Sequence, residues 1–554
     1  MRASLLAGAL LATAACAHGG QGSESSQPSI ARAALPRTRA ERTSYAETST
    51  YDDVIGFIDS LQRGGVPMSR QELGRTSEGR VQPLLVLSRP QVTTPEQAKA
   101  LHRPVVYVQA NIHAGEVEGK EALLALVRDL ATTRNNVLDS IVLIAIPIYN
   151  ADGNERFKPQ SVNRTEQNGP ESVGQRPNAQ MLDLNRDYVK AEAPETRSSL
   201  SAFEKWSPDV FVDLHTTDGS FHGYALTYAP SLNPAARDAG AYTRDSLLPE
   251  LRRRVKARDG FVVFDYGNFD SQYEERDITD TVKRGWFTYD HRPRFGTNYF
   301  GLRQRFSILS EAYSHDPFER RVKATYAFVR ELLSLVAERR ASLRTIEAAA
   351  DSEVARGALD APIAIRSRIT TAPRTLPVTF EVMAHTGDSA LTQPGVPRGY
   401  RRTGVMKTQA MPVYDRFEAV LSRTIPRAWL LPARDTLAIA LLREHGIRVE
   451  PVSPEVAGNA GVSEFLIDSL RTDSDSFQGH HQMHVSGHWT DDSMQSKTEM
   501  VMVRGDQAQA IAALYLLDPE SDDGLVTWNV FDGELSPGKP FPVLRVVTSS
   551  TRSP

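Results

Sequence analysis

Residues 104–119 read PVVYVQANIHAGEVEG and join a strand, a turn and the start of a helix. Residues 104–109 are mostly β-branched and aromatic, which is typical of a buried strand. His113 and Glu116 fall in the turn, and an apolar helical pattern begins at Glu118. A strand, a polar turn and a helix make the repeating unit of α/β folds. This stretch therefore predicts the fold class and a place for functional side chains.

The same alternation of apolar strands and amphipathic helices continues on both sides of this stretch. Further strand-like runs lie at 81–87, 140–148, 210–214 and 306–309. The aliphatic run at 140–148 is typical of a strand covered on both faces. We therefore predict that residues 46–345 form an α/β/α sandwich around a mixed, mostly parallel sheet.

The C-terminal region, residues 355–554, has a different pattern. Strand-like runs at 361–369 and 376–383 precede a β-α-β pattern over 427–452, and residues 477–488 alternate like another strand. We predict one or two accessory domains of α+β or β type. A chaperoning β-domain, a wall- or glycan-binding module and a dimer interface all remain open as roles.

Four histidines cluster in this C-terminal region. His480, His484 and His488 would share one face of an alternating strand, and His481 lies among them. An exposed edge strand explains this pattern better than a second metal site does.

The first residues predict export. Residues 1–16 combine a basic start with an apolar run too short to span a bilayer and end at Cys16, the only cysteine. The segment resembles a lipoprotein signal, although Thr13 departs from the preferred leucine, so simple secretion is the alternative. Residues 17–45 are polar and predict a flexible tether. We expect a periplasmic or outer-membrane-anchored protein that touches membrane only through a lipid on Cys16.

Composition narrows the class of partner. The 554 residues carry a formal net charge of −4 and are 24% charged, with both signs mixed. This mixture gives no electrostatic reason to bind nucleic acid. The length predicts two or three domains.

Three candidate metal ligands follow two of the predicted strands. His113 and Glu116 follow the strand at 104–109, and His215 follows the strand at 210–214. Ligands of open α/β sheets bind at the carboxyl ends of the strands, so these side chains are expected to converge. Catalytic zinc takes three such protein ligands and keeps one position for water. The pattern predicts one zinc ion per chain.

Four motifs in this order resemble those of the zinc carboxypeptidase family. They are Asn111-Ile112-His113-Ala114-Gly115-Glu116, Asp183-Leu184-Asn185-Arg186, Asp213-Leu214-His215 and Leu309-Ser310-Glu311. The resemblance implies a metallocarboxypeptidase that cleaves the C-terminal bond of peptides with a free C-terminus. It implies zinc held by His113, Glu116 and His215.

The resemblance also implies roles for individual residues. Glu311 matches the general base that takes a proton from the zinc-bound water and passes it to the leaving amine. Asn185 and Arg186 match the pair that grips the terminal carboxylate, for which a planar guanidinium is suited. Asp183 matches the aspartate that orients a zinc-binding histidine.

Two further family roles have more than one candidate. The arginine that stabilises the oxyanion is Arg164 or Arg176, and we favour Arg176 because it lies nearer the Asn-Arg pair. The tyrosine that closes over the substrate is Tyr289, at suitable spacing before Glu311, or Tyr299.

Two alternatives to a carboxypeptidase stay open at this stage. A zinc-dependent deacylase or amidohydrolase of acylated amino acids or cell-wall peptides would use the same metal ligands. A non-catalytic binding protein is the other alternative. Intact Glu311 and a complete ligand set count against it.

Overall fold

The computed structural model describes residues 35–269, 285–357, 359, 361–388, 396, 398–453, 461–492 and 499–547. Cys16, the predicted signal peptide and most of the predicted tether lie outside the described residues. At the end of the predicted tether, residues Arg39–Arg42 form a helix in which Ala40 is buried. In the described part of the chain, no helix is both long enough and apolar enough to cross a membrane.

The first part of the chain alternates strands with helices. Its strands are β1 Ser69–Arg75, β2 Val81–Leu87, β3 Val105–Ala110, β4 Val142–Ile146, β5 Lys158–Pro159, β6 Ser172–Val173, β7 Val210–Thr216, β8 Leu226–Pro230, β9 Val263–Asp265, β10 Trp286–Phe287 and β11 Phe306–Ala312. Its helices are α1 Arg39–Arg42, α2 Tyr51–Arg63, α3 Pro95–Ala100, α4 Glu118–Thr132, α5 Ala151–Asn154, α6 Gln160–Asn163, α7 Pro194–Trp206, α8 Arg237–Tyr242, α9 Leu248–Asp259, α10 Gly296–Leu302 and α11 Phe318–Ala355. Short 3₁₀ or π turns lie at Val137–Asp139, Leu184–Arg186, Pro234–Ala236 and Thr243–Leu247.

Eight of these strands form one mixed sheet in the order β1-β2-β4-β3-β7-β11-β8-β9. The central strands β4, β3, β7 and β11 run parallel to one another. Strand β2 joins β4 antiparallel, and β8 joins β11 antiparallel. The predicted mixed, mostly parallel sheet is confirmed.

Both faces of this sheet are covered, as the aliphatic strand pattern predicted. On β3, Val106 and Val108 belong to one hydrophobic core, which includes residues of α2, α4, α9 and α11. Val105 and Tyr107 of the same strand belong to a second core, with residues of α3, α7 and α10. Successive side chains of a strand point to opposite faces, so one strand contributes to two cores. The predicted α/β/α sandwich is therefore confirmed.

The C-terminal region adds a second sheet. Its strands are β12 Ile363–Thr370, β13 Leu376–His385, β14 Tyr400–Met411, β15 Val413–Tyr414, β16 Arg416–Arg423, β17 Ala428–Pro432, β18 Glu450–Pro451, β19 Gly461–Thr472, β20 Met483–Asp492, β21 Met500–Arg504 and β22 Leu544–Val547, and its helices are α12 Thr436–Glu444 and α13 Ala510–Leu517. Six of these strands form a sheet in the order β18-β21-β17-β22-β19-β20. A 3₁₀ turn lies at Asp532–Glu534.

The C-terminal region packs against the first part of the chain. Trp286 and Phe287 of β10 pair in parallel with β15, and His222 forms an isolated bridge with Phe380 of β13. One compact unit contains both regions from residue 36 onward. The C-terminal strands therefore pack directly against the first part of the chain.

The strand predicted at 477–488 is wrong in its bounds. The chain forms β19 over Gly461–Thr472, turns through residues 473–482, and returns as β20 from Met483. His480 lies in the turn, while His484 and His488 lie on β20, at the edge of the sheet. The turn breaks the alternation that the sequence pattern suggested, because His480 bonds to Asn529 and Glu192 instead of joining the strand.

Candidate metal centre and substrate cleft

Neighbouring parallel strands bring the candidate ligands together. His113 and Glu116 lie in the turn between β3 and α4, His215 is the last residue but one of β7, and Glu311 occupies the same place in β11. Because β3, β7 and β11 are adjacent and parallel, their carboxyl ends meet at one edge of the sheet. His215 and Glu311 were expected to follow their strands, but both lie within the last strand residues.

The three metal-ligand candidates form one buried cluster. Glu116 Oε1 lies 3.0 Å from His113 Nδ1, and Glu116 Oε2 lies 3.0 Å from His215 Nδ1. The two Nδ1 atoms are 3.3 Å apart. Among the described residues this is the one group of three or more His, Cys, Asp or Glu that could hold a metal ion.

Outer partners fix the orientation of both imidazoles. Asp183 Oδ1 lies 3.1 Å from His113 Nε2, and Asp213 Oδ2 lies 3.0 Å from His215 Nε2. With the Nε2 atoms held outward, both Nδ1 atoms face Glu116. Such carboxylate partners orient metal-binding histidines. Two imidazoles and one carboxylate in this arrangement fit the ligand set of a catalytic zinc ion.

Sequence reasoning assigned no role to Asp213. The signal was present, because Asp213 stands two residues before His215 on β7 and alternate strand residues share a face. Thr216 was also missed, and its backbone N–H donates to Glu116 Oε2 at 3.1 Å. A backbone N–H donor such as that of Thr216 cannot be recognised from the pattern of side chains in a sequence.

The electrostatics of the cluster favour a cation. Burial disfavours the charged form of Glu116, but His113 and Arg164 outweigh it and hold the pKa of Glu116 well below its ordinary value. Burial would lower the pKa of His215, but Asp213 and Glu116 outweigh it and hold that pKa well above the usual range. Surroundings that stabilise a proton on His215 also stabilise a metal cation there, so the two compete.

Glu311 stands beside the cluster with a free oxygen. It is buried, and its Oε2 atom has no hydrogen-bond partner among the described residues. Burial raises the pKa of the Glu311 carboxyl well above its ordinary value, with His215 opposing and Glu116 adding to the rise. Once it has accepted a proton, this carboxyl therefore keeps it more readily than an exposed glutamate does.

One cleft contains the cluster, Glu311 and the residues predicted to bind substrate. The predicted residues in its lining are Arg176, Asn185, Arg186 and Tyr289. Residues that sequence reasoning did not place there are Thr216, Asp218, Tyr266, Phe295 and Leu309. The aromatic residues and Leu309 give part of the cleft an apolar wall.

Arg186 is available to an anion in this cleft. Its guanidinium stacks over the Phe295 ring at 3.9 Å, and Nη1 donates to the Asn185 backbone oxygen at 2.8 Å. In the part of the chain that the structure describes, no carboxylate lies within 4.0 Å of this guanidinium. The Asn185 side-chain oxygen accepts the Gly296 backbone N–H at 2.9 Å.

The structure separates the two arginine candidates. Arg164 is buried, and its guanidinium donates to Glu116 and to the backbone oxygens of Thr216 and Thr217. Arg176 lines the cleft with 34% of its side chain exposed, and its Nε donates to Asp183 Oδ2 at 2.9 Å. Arg164 is therefore buried against the metal cluster, whereas Arg176, whose Nη1 also lies 3.5 Å from Glu116 Oε1, lines the cleft.

The two tyrosine candidates are separated in the same way. Tyr289 lines the cleft and packs edge-to-face on Tyr266 at 5.5 Å. Tyr299 is fully buried, and its hydroxyl lies 2.6 Å from His445 Nδ1. Only Tyr289 of the two reaches the substrate space.

A short turn ties the Arg176 segment to the His113 segment. The Asn150 Nδ2 atom donates to the backbone oxygens of Ile112 and Arg176, each at 3.2 Å. Gly174 packs closely against the same turn, because a Cβ on Gly174 would stand 2.6 Å from the Gly153 backbone oxygen. The turn thus fixes the backbone on both sides of the metal cluster.

Comparisons with known proteins find that this chain is similar to carboxypeptidases. Residues 57–259 match the family model described as zinc carboxypeptidase, and Glu311 lies beyond the matched segment. Carboxypeptidase 2 of Trichophyton tonsurans is 23% identical over 523 residues, which cover 92% of this chain and 89% of that protein. Carboxypeptidase 2 of Trichophyton rubrum is 23% identical over 508 residues, covering 90% and 86%.

One of the solved structures similar to this chain is a metallo-carboxypeptidase from Burkholderia cenocepacia. It is 19% identical, has a TM-score of 0.38, and aligns with 52% of this chain and 70% of its own.

A covered α/β sheet with a buried His-Glu-His set at its carboxyl edge defines a metal-dependent hydrolase. Within that class, residues 57–259 match the zinc carboxypeptidase family, which is the family that the motifs implied. Zinc is accordingly the metal that the His113, Glu116 and His215 cluster is suited to bind.

Proposed function

We propose that the protein hydrolyses the C-terminal peptide bond of peptides and releases one residue at a time. The observation that supports this most directly is Arg186. Its guanidinium lines the same cleft as the metal cluster, without a carboxylate partner among the described residues. A partly buried guanidinium without a carboxylate partner is suited to a bidentate bond with a substrate carboxylate.

Recognition of the chain end follows from the fixed position of Arg186. Asn185 and Phe295 hold the guanidinium on two sides, so a bound carboxylate has one preferred place. The metal cluster lies in the same cleft, so the distance between the bound carboxylate and the metal ligands is fixed. Only the last peptide bond then reaches the reacting groups, which makes the enzyme an exopeptidase.

His113, Glu116 and His215 would hold the zinc ion, which would supply Lewis-acid chemistry for polarising a carbonyl oxygen and activating water. Glu311 provides the proton transfers, because its Oε2 atom is a free acceptor. The raised pKa of Glu311 lets the carboxyl keep the proton that it takes from the attacking water. It then gives that proton to the leaving amine.

Arg176 is placed to stabilise negative charge on the scissile carbonyl oxygen. Its guanidinium lines the cleft and is fixed by Asp183 at 2.9 Å. A donor held in advance at such a position contributes about 3 kcal/mol to transition-state stabilisation. Tyr289 and Phe295 line the cleft, and their rings exclude water from the bound C-terminal residue of the substrate.

Mass spectrometry of a peptide pool tests the proposal. The purified protein is incubated with free-acid peptides and with the same peptides as C-terminal amides, each with and without a zinc chelator. We expect chelator-sensitive loss of single C-terminal residues from the free acids alone. The Glu311→Gln variant is the control for a contaminating peptidase. Internal cleavage, or release of acyl groups without shortening, would contradict the proposal and favour an endopeptidase or a deacylase.

We also propose that the enzyme acts outside the cytoplasm, anchored by a lipid on Cys16. The basic start, the short apolar run and the cysteine that ends it support this proposal. Intact mass of the mature protein tests it, because lipidation leaves Cys16 as an acylated N-terminus. In a Cys16→Ser variant we expect the protein to leave the membrane fraction. A mature N-terminus without lipid would support simple secretion instead.

A further inference from the structure

One turn of the C-terminal region contacts segments that carry residues of the cleft. Residues 473–482 join β19 to β20, and we name this segment the β19–β20 turn. Gln478 of this turn accepts the Asp183 backbone N–H at its side-chain oxygen, at 2.9 Å. Asp183 in turn contacts His113 and Arg176 and begins the 3₁₀ turn that carries Asn185 and Arg186. A residue far along the chain thus fixes the segment that is proposed to bind the substrate carboxylate.

The same turn also contacts Arg294. Gln482 accepts from Arg294 Nη2 at 2.8 Å, and Arg294 lies over the Phe477 ring at 5.3 Å. Arg294 directly precedes Phe295, which stacks on Arg186.

Arg294 is also held by Asp523 of the C-terminal region. The Arg294 backbone N–H donates to Asp523 Oδ2 at 2.7 Å, and its Nε donates to Asp523 Oδ1 at 2.9 Å. Arg294 and Asp523 are both buried. An ion pair of this kind, with several hydrogen bonds, has little freedom to move, so Phe295 and Gly296 are fixed as well.

Asn185 and Arg186, the pair proposed to bind the substrate carboxylate, form what we call the carboxylate grip. The C-terminal region therefore anchors the segments on both sides of this grip. Gln478 secures the Asp183 side, and Gln482 with Asp523 secures the Phe295 side. We propose that the C-terminal region completes the active site, and that Gln478 is a positioning residue for the carboxylate grip of Asn185 and Arg186. This inference rests on the proposed carboxypeptidase function and gives the accessory region a role in it.

The backbone geometry of Gln478 suggests which variants to make. The φ angle of Gln478 is +53°, in the left-handed region that glycine adopts with the least strain. Gln478→Gly removes the acceptor without adding backbone strain, and Gln478→Glu keeps an acceptor oxygen. Ser476→Ala is the matched control, because Ser476 is an exposed residue of the same turn. Gln482→Ala tests the other side of the grip independently.

Binding to the Glu311→Gln protein separates this inference from the proposed function. The probes are acetyl-Ala-Phe and its C-terminal amide, whose phenyl group suits the Phe295 and Leu309 wall. In the Glu311→Gln parent we expect the free acid to bind more tightly than the amide. Gln478→Gly is expected to reduce this preference by about five- to tenfold, the loss typical of one positioning hydrogen bond. Gln478→Glu is expected to restore most of it, and Ser476→Ala to leave it unchanged.

The outcomes distinguish the two claims. If the parent prefers the acid and folded Gln478→Gly and Gln482→Ala proteins keep that preference, the positioning role is wrong and the carboxypeptidase proposal stands. If the parent shows no preference, the grip of Arg186 is wrong and the positioning role falls with it. In the active enzyme, Gln478→Gly should raise KM for the free acid with less than about a twofold change in kcat, because the grip acts in binding. Should Gln478→Gly fail to fold, Gln478→Ala tests the positioning role by the same measurement, and Gln482→Ala tests the anchoring of the Phe295 side.

Discussion

Glu311 and His215 occupy paired positions in the parallel register of β11 and β7. Neighbouring strands lie about 4.8 Å apart, so the proposed base stands beside a metal ligand because of sheet pairing alone. A shift of one residue along β11 would turn Glu311 to the opposite face of the sheet. The register of two buried strands therefore sets the relation between the base and the metal centre, independently of any loop.

This relation predicts the effect of Glu311→Gln. The variant keeps the shape of the side chain but cannot accept a proton, so kcat on a peptide substrate should fall by about 10²- to 10⁴-fold. Zinc content, measured by elemental analysis, should stay near one per chain, because Glu311 is not among the three ligands. Glu319→Gln, on the exposed surface of α11, is the control. Retention of wild-type kcat would remove Glu311 from the reaction.

Loss of Asp213 should weaken zinc binding. Asp213 Oδ2 lies 3.0 Å from His215 Nε2, and an asparagine there no longer offers a negative charge to the imidazole. We expect the zinc affinity of Asp213→Asn to fall about 10- to 100-fold, measured by competition with a chelator. Asp475→Asn, an exposed acid in the β19–β20 turn, should bind zinc like wild type. An unchanged zinc affinity in Asp213→Asn would show that the β7 backbone alone orients His215.

Replacement of Arg186 should remove the requirement for a free C-terminus. In Arg186→Ala, the loss of charge-assisted hydrogen bonds of about 2 kcal/mol should raise KM for free acids about 30-fold, with little change for the amides. Arg186→Lys keeps the charge but not the planar fork, so its KM should be intermediate. Steady-state kinetics on paired acid and amide peptides measures this. Equal losses on both peptides would assign Arg186 to structure and not to recognition.

Stability should depend on pH through His445. This buried imidazole lies between the Tyr299 hydroxyl and the Val189 backbone oxygen, and burial lowers its pKa to about 4. In the unfolded chain a histidine titrates near about 6.5, so the unfolded state binds the proton more readily. Stability from neutral His445 is therefore complete above about pH 6.5 and is lost as the pH falls toward 4, by about 3 kcal/mol in total.

Urea unfolding of the metal-free protein at several pH values between 7.5 and 4.5 measures this effect without a contribution from zinc release. The decrease in unfolding free energy over that range should be smaller in His445→Gln than in wild type. An identical decrease in both proteins would place the pH dependence in other groups.

The motifs by themselves determined the class of fold and the identity of the metal-ligand candidates. His113 and Glu116 stand after a strand whose composition allows burial on both faces, and such a strand requires helices on either side of the sheet. Spacing in sequence favoured Arg176 over Arg164 and Tyr289 over Tyr299, but it left both alternatives open. Both members of each pair fit the pattern, and only their burial separates them.

Tertiary structure alone decided what surrounds these motifs. Strand register places Glu311 beside His215, and Asp213 lies 3.0 Å from His215 on the same strand. Long-range packing brings Gln478 to the Asp183 backbone. Local patterns report which face of an element is apolar. They carry no information on which distant polar groups meet, because those contacts depend on how whole layers dock. The sequence thus determined the chemistry of the metal ligands, and the register of the strands and the packing of the layers decided which distant polar groups surround them.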